Sequence, residues 1–89
     1  MNQFVFTKKA EKEFLKLPLA AQERIVAKLK ELKHHEDLFQ LLKKLHDFEP
    51  ATHRLRIGSY RLILELKNQK VESLEFWILD LGDRKDIYR

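Results

Sequence analysis

The sequence has 89 residues, a formal charge of +4 and no cysteine, which excludes disulfide bridges and thiolate metal sites. A chain of this length buries only about 60–65% of its surface, so we expect one domain over residues 1–89 with a shallow functional site. Apolar residues make up 44% and charged residues 36%, which is typical of a globular protein. No apolar run approaches the ~18 residues of a membrane span, and the N-terminus lacks a signal-peptide pattern. We therefore expect a cytoplasmic protein with no membrane partner.

The first part of the chain predicts a strand followed by two helices. Residues 2–6 alternate like a short strand, and Thr7 is suited to cap the helix that follows. Helical spacing over residues 8–17 ends at Pro18, because the residue before a proline avoids the helical conformation. A second helix is predicted from about residue 19 to residue 35, and its apolar stripe is Ile25, Leu29 and Leu32.

The second part of the chain predicts a sheet. A short helical turn after residue 38 leads into a strand at 45–48, and further strands are predicted at 53–57, 60–66 and 71–81. Turns are predicted at Gly58-Ser59 and at residues 67–70, Gly82-Asp83 is expected to break the last strand, and Phe76 and Trp77 are expected in the core. The predicted class is α+β: an N-terminal strand, a two-helix hairpin and an antiparallel meander of three to four strands.

Three arginines of the predicted sheet are placed to meet on one face. Arg54 and Arg56 are two residues apart on a strand, so both side chains leave the same face. Arg61 begins the next strand after a tight turn, and antiparallel pairing can bring it to that face. Three guanidinium groups together suit a phosphate.

Basic and aromatic residues also follow the last strand: Arg84, Lys85 and Tyr88. Arginines that pair with phosphates and a ring on which a base stacks are typical of single-stranded RNA binding. The competing interpretation is that these are scattered surface charges and that Tyr88 closes the core.

Other chemistry has little support in the sequence. There is no glycine-rich phosphate loop, no zinc pattern and no cysteine nucleophile. His34 and His35 are adjacent, so they cannot both face one metal ion from a helix. We therefore expect no metal and no cofactor. Carboxylates of the helices, such as Glu13, have lysine neighbours, which favours a solvated surface over an acid–base pair.

A lysine stripe lies along the first predicted helix. Lys8, Lys12 and Lys16 recur at four-residue spacing, which places them on one side of the helix. Together with Lys85 they form a predicted surface for RNA or the ribosome, and a solvated helix face is the alternative.

Two segments of the sequence carry a resemblance to a known family. Residues 54–63 read R-L-R-I-G-S-Y-R-L-I, and residues 79–89 read L-D-L-G-D-R-K-D-I-Y-R. With the opening strand, the helical hairpin and the length of the chain, these motifs resemble the RelE/ParE superfamily of toxins from bacterial and archaeal toxin–antitoxin pairs. The RelE-like branch is favoured.

The resemblance implies an activity and a set of partners. A RelE-like toxin is expected to enter the ribosomal A site and to cut the bound mRNA without a metal. In this reaction the 2′-OH of a nucleotide attacks its own 3′ phosphodiester. The implied partners are a cognate antitoxin, the ribosome and mRNA, with operator DNA reached only through the antitoxin.

The resemblance also implies roles for individual residues. Carried over by position, the catalytic residues are Arg54, Arg56, Arg61, Arg84 and Tyr88. Well-studied RelE members have lysine at the first two positions, whereas arginine keeps its proton, so the identity of the general base stays open. The candidates for acid or base are Asp83 and His53, with His46 in reserve.

Two other functions stay open from the sequence. A ParE-like toxin would share the fold but poison DNA gyrase and cut no RNA, and the basic set together with Tyr88 argues against it. A degenerate toxin would only bind its antitoxin and operator DNA, and the arginines in place of lysines keep that reading open.

Overall fold

The structure, a computed structural model, describes residues 1–83 and contains two α-helices and a five-stranded sheet. Helix α1 spans Lys8–Leu15, α2 spans Leu19–Lys33, and a short 3-10 turn follows at Leu38–Leu41. The strands are β1 (Gln3–Phe6), β2 (Lys43–Lys44), β3 (His53–Ile57), β4 (Tyr60–Lys70) and β5 (Ser73–Asp83).

The strands have the spatial order β1-β5-β4-β3-β2. From β2 to β5 each strand pairs antiparallel with the next, and β1 joins the sheet parallel to β5. This arrangement confirms the predicted α+β fold with a four-stranded meander. Gly58 begins the two-residue turn between β3 and β4 with a φ of 60°, a conformation that glycine adopts without steric cost.

The helical hairpin follows from local sequence signals. Thr7 caps α1, since its hydroxyl oxygen accepts a hydrogen bond from the backbone nitrogen of Ala10 at 3.2 Å. Pro18 separates the helices, as predicted, and the stripe of Ile25, Leu29 and Leu32 is buried. Neither helix of the described part of the chain is long and apolar enough to cross a bilayer.

The core lies between the helices and one face of the sheet. Alternate residues of the three long strands turn toward the helices and are buried: Leu55, Ile57, Leu62, Leu64, Phe76, Ile78 and Leu81. Burial of these side chains, each contributing about 1.5–3 kcal/mol, holds the helices on the sheet. Apart from Leu79 and Asp80, where the register with β4 shifts, the residues between them point to the other side, which we call the outer face.

The hairpin of β4 and β5 is longer than predicted. Residues 67–70 belong to β4 instead of forming a turn, and the chain reverses at 71–72. Lys67, Asn68, Gln69 and Lys70 are all exposed, so neither face of this extension is buried and no apolar alternation marks it as strand.

Two further strand boundaries differ from the prediction. Gly82 and Asp83 were expected to break β5 but stay in the sheet, because β4 supplies pairing partners for them. The strand predicted over 45–48 is wrong: the strand lies at Lys43–Lys44, and after it Leu45 donates a backbone hydrogen bond to Thr52, just before β3, at 2.9 Å. The chain turns at Asp47, whose φ of 62° is incompatible with an extended strand.

Trp77 was expected in the core beside Phe76, and the structure corrects this. Phe76 is fully buried, whereas Trp77 points to the outer face with 37% of its surface exposed. The ammonium of Lys67 lies 4.4 Å from the centre of the Trp77 ring, and the indole nitrogen donates to Glu75 at 3.1 Å. Neighbouring residues of a strand cannot both enter one core, so only one of the two rings is buried.

Candidate functional site

Four basic residues meet on the outer face. Arg54 and Arg56 share it as predicted, because the residues between and beside them on β3 are buried. Arg61 on β4 lies directly opposite Arg56, and Lys43 on β2 lies directly opposite Arg54. Directly opposite residues of an antiparallel pair project from the same face with Cβ atoms about 4.5–5.5 Å apart. We call this set the cationic face.

The placement of like charges opposite each other has a cost for the fold. Arg56 and Arg61 form such a pair, and like charges directly opposite each other destabilise a sheet. Arg56 and Lys43 are exposed, and Arg54 and Arg61 are half-buried. A cluster that opposes folding yet stays accessible is suited to an anion, and the planar guanidinium matches a phosphate with two parallel hydrogen bonds.

Gly82 places no side chain beside Arg61 on the outer face. It is the partner of Arg61 on β5, so a side chain at position 82 would project beside the Arg61 guanidinium. Sequence reasoning missed this role, as it missed Lys43, because both depend on strand register; Gly82 lies in the 79–89 motif but was expected only to end the strand.

His53, a candidate acid or base, lies on the helix side of the sheet. It is 8% exposed, and its ring packs 5.6 Å from that of Phe76 and 5.4 Å from that of Phe39. Burial lowers the pKa of the imidazole, and the charge of Lys44 lowers it further. His53 is therefore a neutral residue of the core that the structure does not bring to the cationic face.

Asp83, the other candidate, lies at the end of β5. It is exposed and pairs with Tyr60, and because it follows Gly82 on the strand, its side chain leaves the face opposite to Arg61. His46, the reserve candidate, is exposed in the loop between β2 and β3. Arg84, Lys85 and Tyr88 lie outside the described residues, and their roles stay predictions.

The lysine stripe of α1 is separate from the cationic face. Lys8, Lys12 and Lys16 are exposed, and α1 packs against β5, whereas the cationic face lies on β2, β3 and β4. The stripe stays a predicted contact surface.

A carboxyl pair joins α1 to β5, which corrects the expectation that Glu13 is simply solvated. Glu13 is half-buried, and its carboxyl accepts a hydrogen bond from the backbone nitrogen of Leu81 at 3.4 Å, next to Asp80. Lys9 completes the cluster with an ion pair to Asp80 at 3.0 Å. Burial raises the pKa of Glu13, and the hydrogen bond to Asp80 raises it further. Burial by itself would raise the pKa of Asp80. The hydrogen bonds from Glu13 and Lys9 have the larger effect, so the pKa of Asp80 is lowered.

This pair predicts a pH-dependent stability that Glu13→Gln removes. Glu13 holds its proton in the folded state at pH values where it is ionised in the unfolded chain. Between the ordinary glutamate pKa and the raised pKa of Glu13, the native state binds more protons than the unfolded state. The free energy of unfolding therefore falls as the pH rises above the ordinary glutamate pKa. Glutamine cannot ionise, and its amide can still donate to Asp80.

The measurement is urea unfolding of both proteins from about pH 4 to about pH 8. The variant should gain stability relative to the wild type as the pH rises, because all other titrating groups are common to both. A difference that does not change with pH would contradict the raised pKa of Glu13.

Comparison with known proteins supports the same fold. No family model matches the sequence, and no match is found among curated proteins. A chain of the RelBE2 toxin–antitoxin complex from Mycobacterium tuberculosis is 24% identical, with a TM-score of 0.73 over 94% of this chain and 92% of that chain. A chain of the RelB–RelE complex from Methanococcus jannaschii is 24% identical, with a TM-score of 0.65 over 94% of each chain.

The isolated RelE toxin of Escherichia coli is also similar. It is 22% identical, with a TM-score of 0.65 over 91% of this chain and 82% of that chain. At such identities the similarity is one of architecture, and it covers nearly all of the strands and helices described above. The chain therefore has the fold of the RelE toxins.

Proposed function

We propose that this chain is the toxin of a toxin–antitoxin pair and acts as a ribosome-dependent endoribonuclease that cleaves mRNA in the A site. The observation that carries the proposal is the cationic face, where Arg54, Arg56 and Arg61 converge with Lys43 on one side of the sheet. The similarity to the RelE toxin and to chains of RelB–RelE complexes supports it.

The proposed reaction needs only groups of the RNA and of the protein. The 2′ oxygen of a nucleotide attacks the phosphorus of its own 3′ phosphodiester. The new O–P bond closes a cyclic phosphate, and the bond from phosphorus to the 5′ oxygen of the next nucleotide breaks. A base takes the 2′ proton and an acid protonates the leaving oxygen. Guanidinium groups stabilise the negative charge that develops on the phosphate oxygens in between.

The cationic face supplies charge stabilisation in this scheme and not the base. Arginine is not suited to act as a general base, so Arg54, Arg56 and Arg61 bind and polarise the phosphate. No base is assigned among the candidates, because Asp83 is exposed but leaves the face of the sheet opposite to Arg61, and His53 is buried on the helix side. The predicted roles of Arg84 at the leaving group and of Tyr88 as a stacking ring complete the site.

The proposed partners follow from this activity. A cognate antitoxin would neutralise the toxin by covering the cationic face, and operator DNA would be reached through the antitoxin. The ribosome presents the mRNA, since a face without a deep pocket cannot by itself position a flexible strand. The proposed location is the cytoplasm, where translating ribosomes are found.

Inducible expression of the chain in bacteria tests the proposal. We expect growth arrest within one generation and new mRNA 5′ ends at A-site codons of translated frames. Mapping of 5′ ends with and without an inhibitor of translation initiation, which leaves the mRNA free of ribosomes, provides the control, and the new ends should be lost when the inhibitor is present. Arrest with intact mRNA and broken DNA would point to a gyrase poison, and soluble folded protein without arrest would point to a non-catalytic toxin.

A further inference from the structure

A groove runs between α2 and the β3–β4 hairpin, around the edge of the sheet from the cationic face. It has a volume of about 490 Å³, and its charged walls are Arg24, Lys28 and Glu31 from α2 and Arg56 from β3. We call it the hairpin groove. Arg56 belongs to both the hairpin groove and the cationic face, so the two surfaces are continuous.

Gly58 shapes the floor of the groove. A Cβ atom at this position would lie 3.1 Å from a guanidinium nitrogen of Arg24, closer than an ordinary contact. The φ of 60° also disfavours any other residue there. The bare glycine therefore lets the Arg24 side chain lie across the hairpin turn, which restricts its rotamers before any ligand binds.

The charges of the groove favour an anion. Glu31 is the one acidic residue that lines the groove, and it forms an ion pair with Lys28 at 3.4 Å. Among residues 1–83, no carboxylate forms an ion pair with Arg24 or Arg56. The side chain of Arg56 is oriented toward the turn, since its Nε donates to the carbonyl oxygen of Gly58 at 3.4 Å. Two arginines beside one glycine turn thus present guanidinium groups to solvent.

We propose that the hairpin groove is a second phosphate-binding subsite, which takes a backbone phosphodiester of RNA next to the one held at the cationic face. The proposal rests on the proposed function for the identity of RNA as the ligand. Two RNA molecules could supply this phosphodiester. One is the mRNA strand, which continues past the cleavage site, and the other is the ribosomal RNA that surrounds it. Arg24 and Arg56 bind the phosphate oxygens, and Lys28 offsets the negative charge of Glu31.

The test compares Arg24→Ala with Lys30→Ala, which removes one positive charge from the same helix outside the groove. Two probes are titrated by fluorescence anisotropy or sedimentation: a short single-stranded RNA with 2′-O-methyl groups, which cannot be cleaved, and purified ribosomes with an empty A site. We expect Arg24→Ala to weaken binding to at least one probe about tenfold and to reduce the salt dependence by about 0.7 in log–log slope. Lys30→Ala should bind like the wild type. Thermal melts of both variants check that the fold is kept.

Each result assigns or overturns the subsite. A loss on the oligonucleotide identifies the mRNA strand as the source, and a loss on ribosomes alone identifies ribosomal RNA. Wild-type affinity of Arg24→Ala for both probes, or no binding by the wild-type protein itself, overturns the proposal. If the wild type cleaves mRNA and Arg24→Ala binds normally, the subsite fails while the endoribonuclease stands. If Arg24→Ala weakens binding and the wild type cuts no RNA, the subsite stands while the proposed cleavage fails.

Discussion

Replacement of Arg61 by alanine is expected to lower the rate of ribosome-dependent mRNA cleavage by about 10²–10³-fold. Arg61 is half-buried between Arg56 and Gly82 in the strand register, so it is the central cation of its row and has no side chain of β5 opposite it. A half-buried cation is less screened by water than an exposed one and stabilises developing charge more strongly. Removal of Arg61 also removes its repulsion with Arg56, and thermal melts of the variant separate any change in stability from the change in cleavage rate.

The matched control is Lys70→Ala on the same strand. Lys70 is exposed nine residues away, at about 3.3 Å per residue, so the variant loses the same charge about 30 Å from the cationic face. The measurement is the rate at which each purified protein cuts mRNA on programmed ribosomes, followed by primer extension. The cleavage rate of Arg61→Lys should lie between those of Arg61→Ala and Lys70→Ala, since lysine keeps the positive charge but lacks the planar guanidinium that makes two parallel hydrogen bonds. Wild-type cleavage by Arg61→Ala would remove the cationic face from the mechanism.

Phe76→Ala is expected to lower the free energy of unfolding by about 3–5 kcal/mol. Phe76 is fully buried at the centre of β5, and its ring stacks on Phe4 of the parallel neighbour at 5.9 Å. It also meets the edges of His53 at 5.6 Å and Phe39 at 6.3 Å. Truncation to alanine leaves a cavity where the helix layer, the sheet and the 3-10 turn meet, and aromatic pairs add about 0.5–1.5 kcal/mol beyond the buried area.

Urea unfolding followed by circular dichroism measures this loss, with Trp77→Ala as the control. The neighbouring ring is on the outer face and partly exposed, so its removal should cost well under half as much. Since domains have only about 5–15 kcal/mol of stability, Phe76→Leu provides a milder change that keeps the protein folded. An equal loss from Phe76→Ala and Trp77→Ala would contradict the assignment of the core to the helix side.

Part of the site was predictable because it depends on short-range geometry. The alternation of β3 placed Arg54 and Arg56 on one face, and the two-residue turn at Gly58 fixed Arg61 opposite Arg56. The same alternation applies to Phe76 and Trp77, where the apolar character of both residues concealed that one of them faces outward.

What the sequence by itself determined is the element order, the α+β class and the shared face of three arginines, because periodicity and tight turns act over a few residues. The tertiary structure decided the rest. Lys43 and Gly82 join the site through strand pairing, and Arg24 reaches Gly58 from a distant helix. Glu13 meets a strand 68 residues further along the chain. Such contacts depend on register and on helix placement, which are set by the packing of the whole core and leave no local pattern in the sequence.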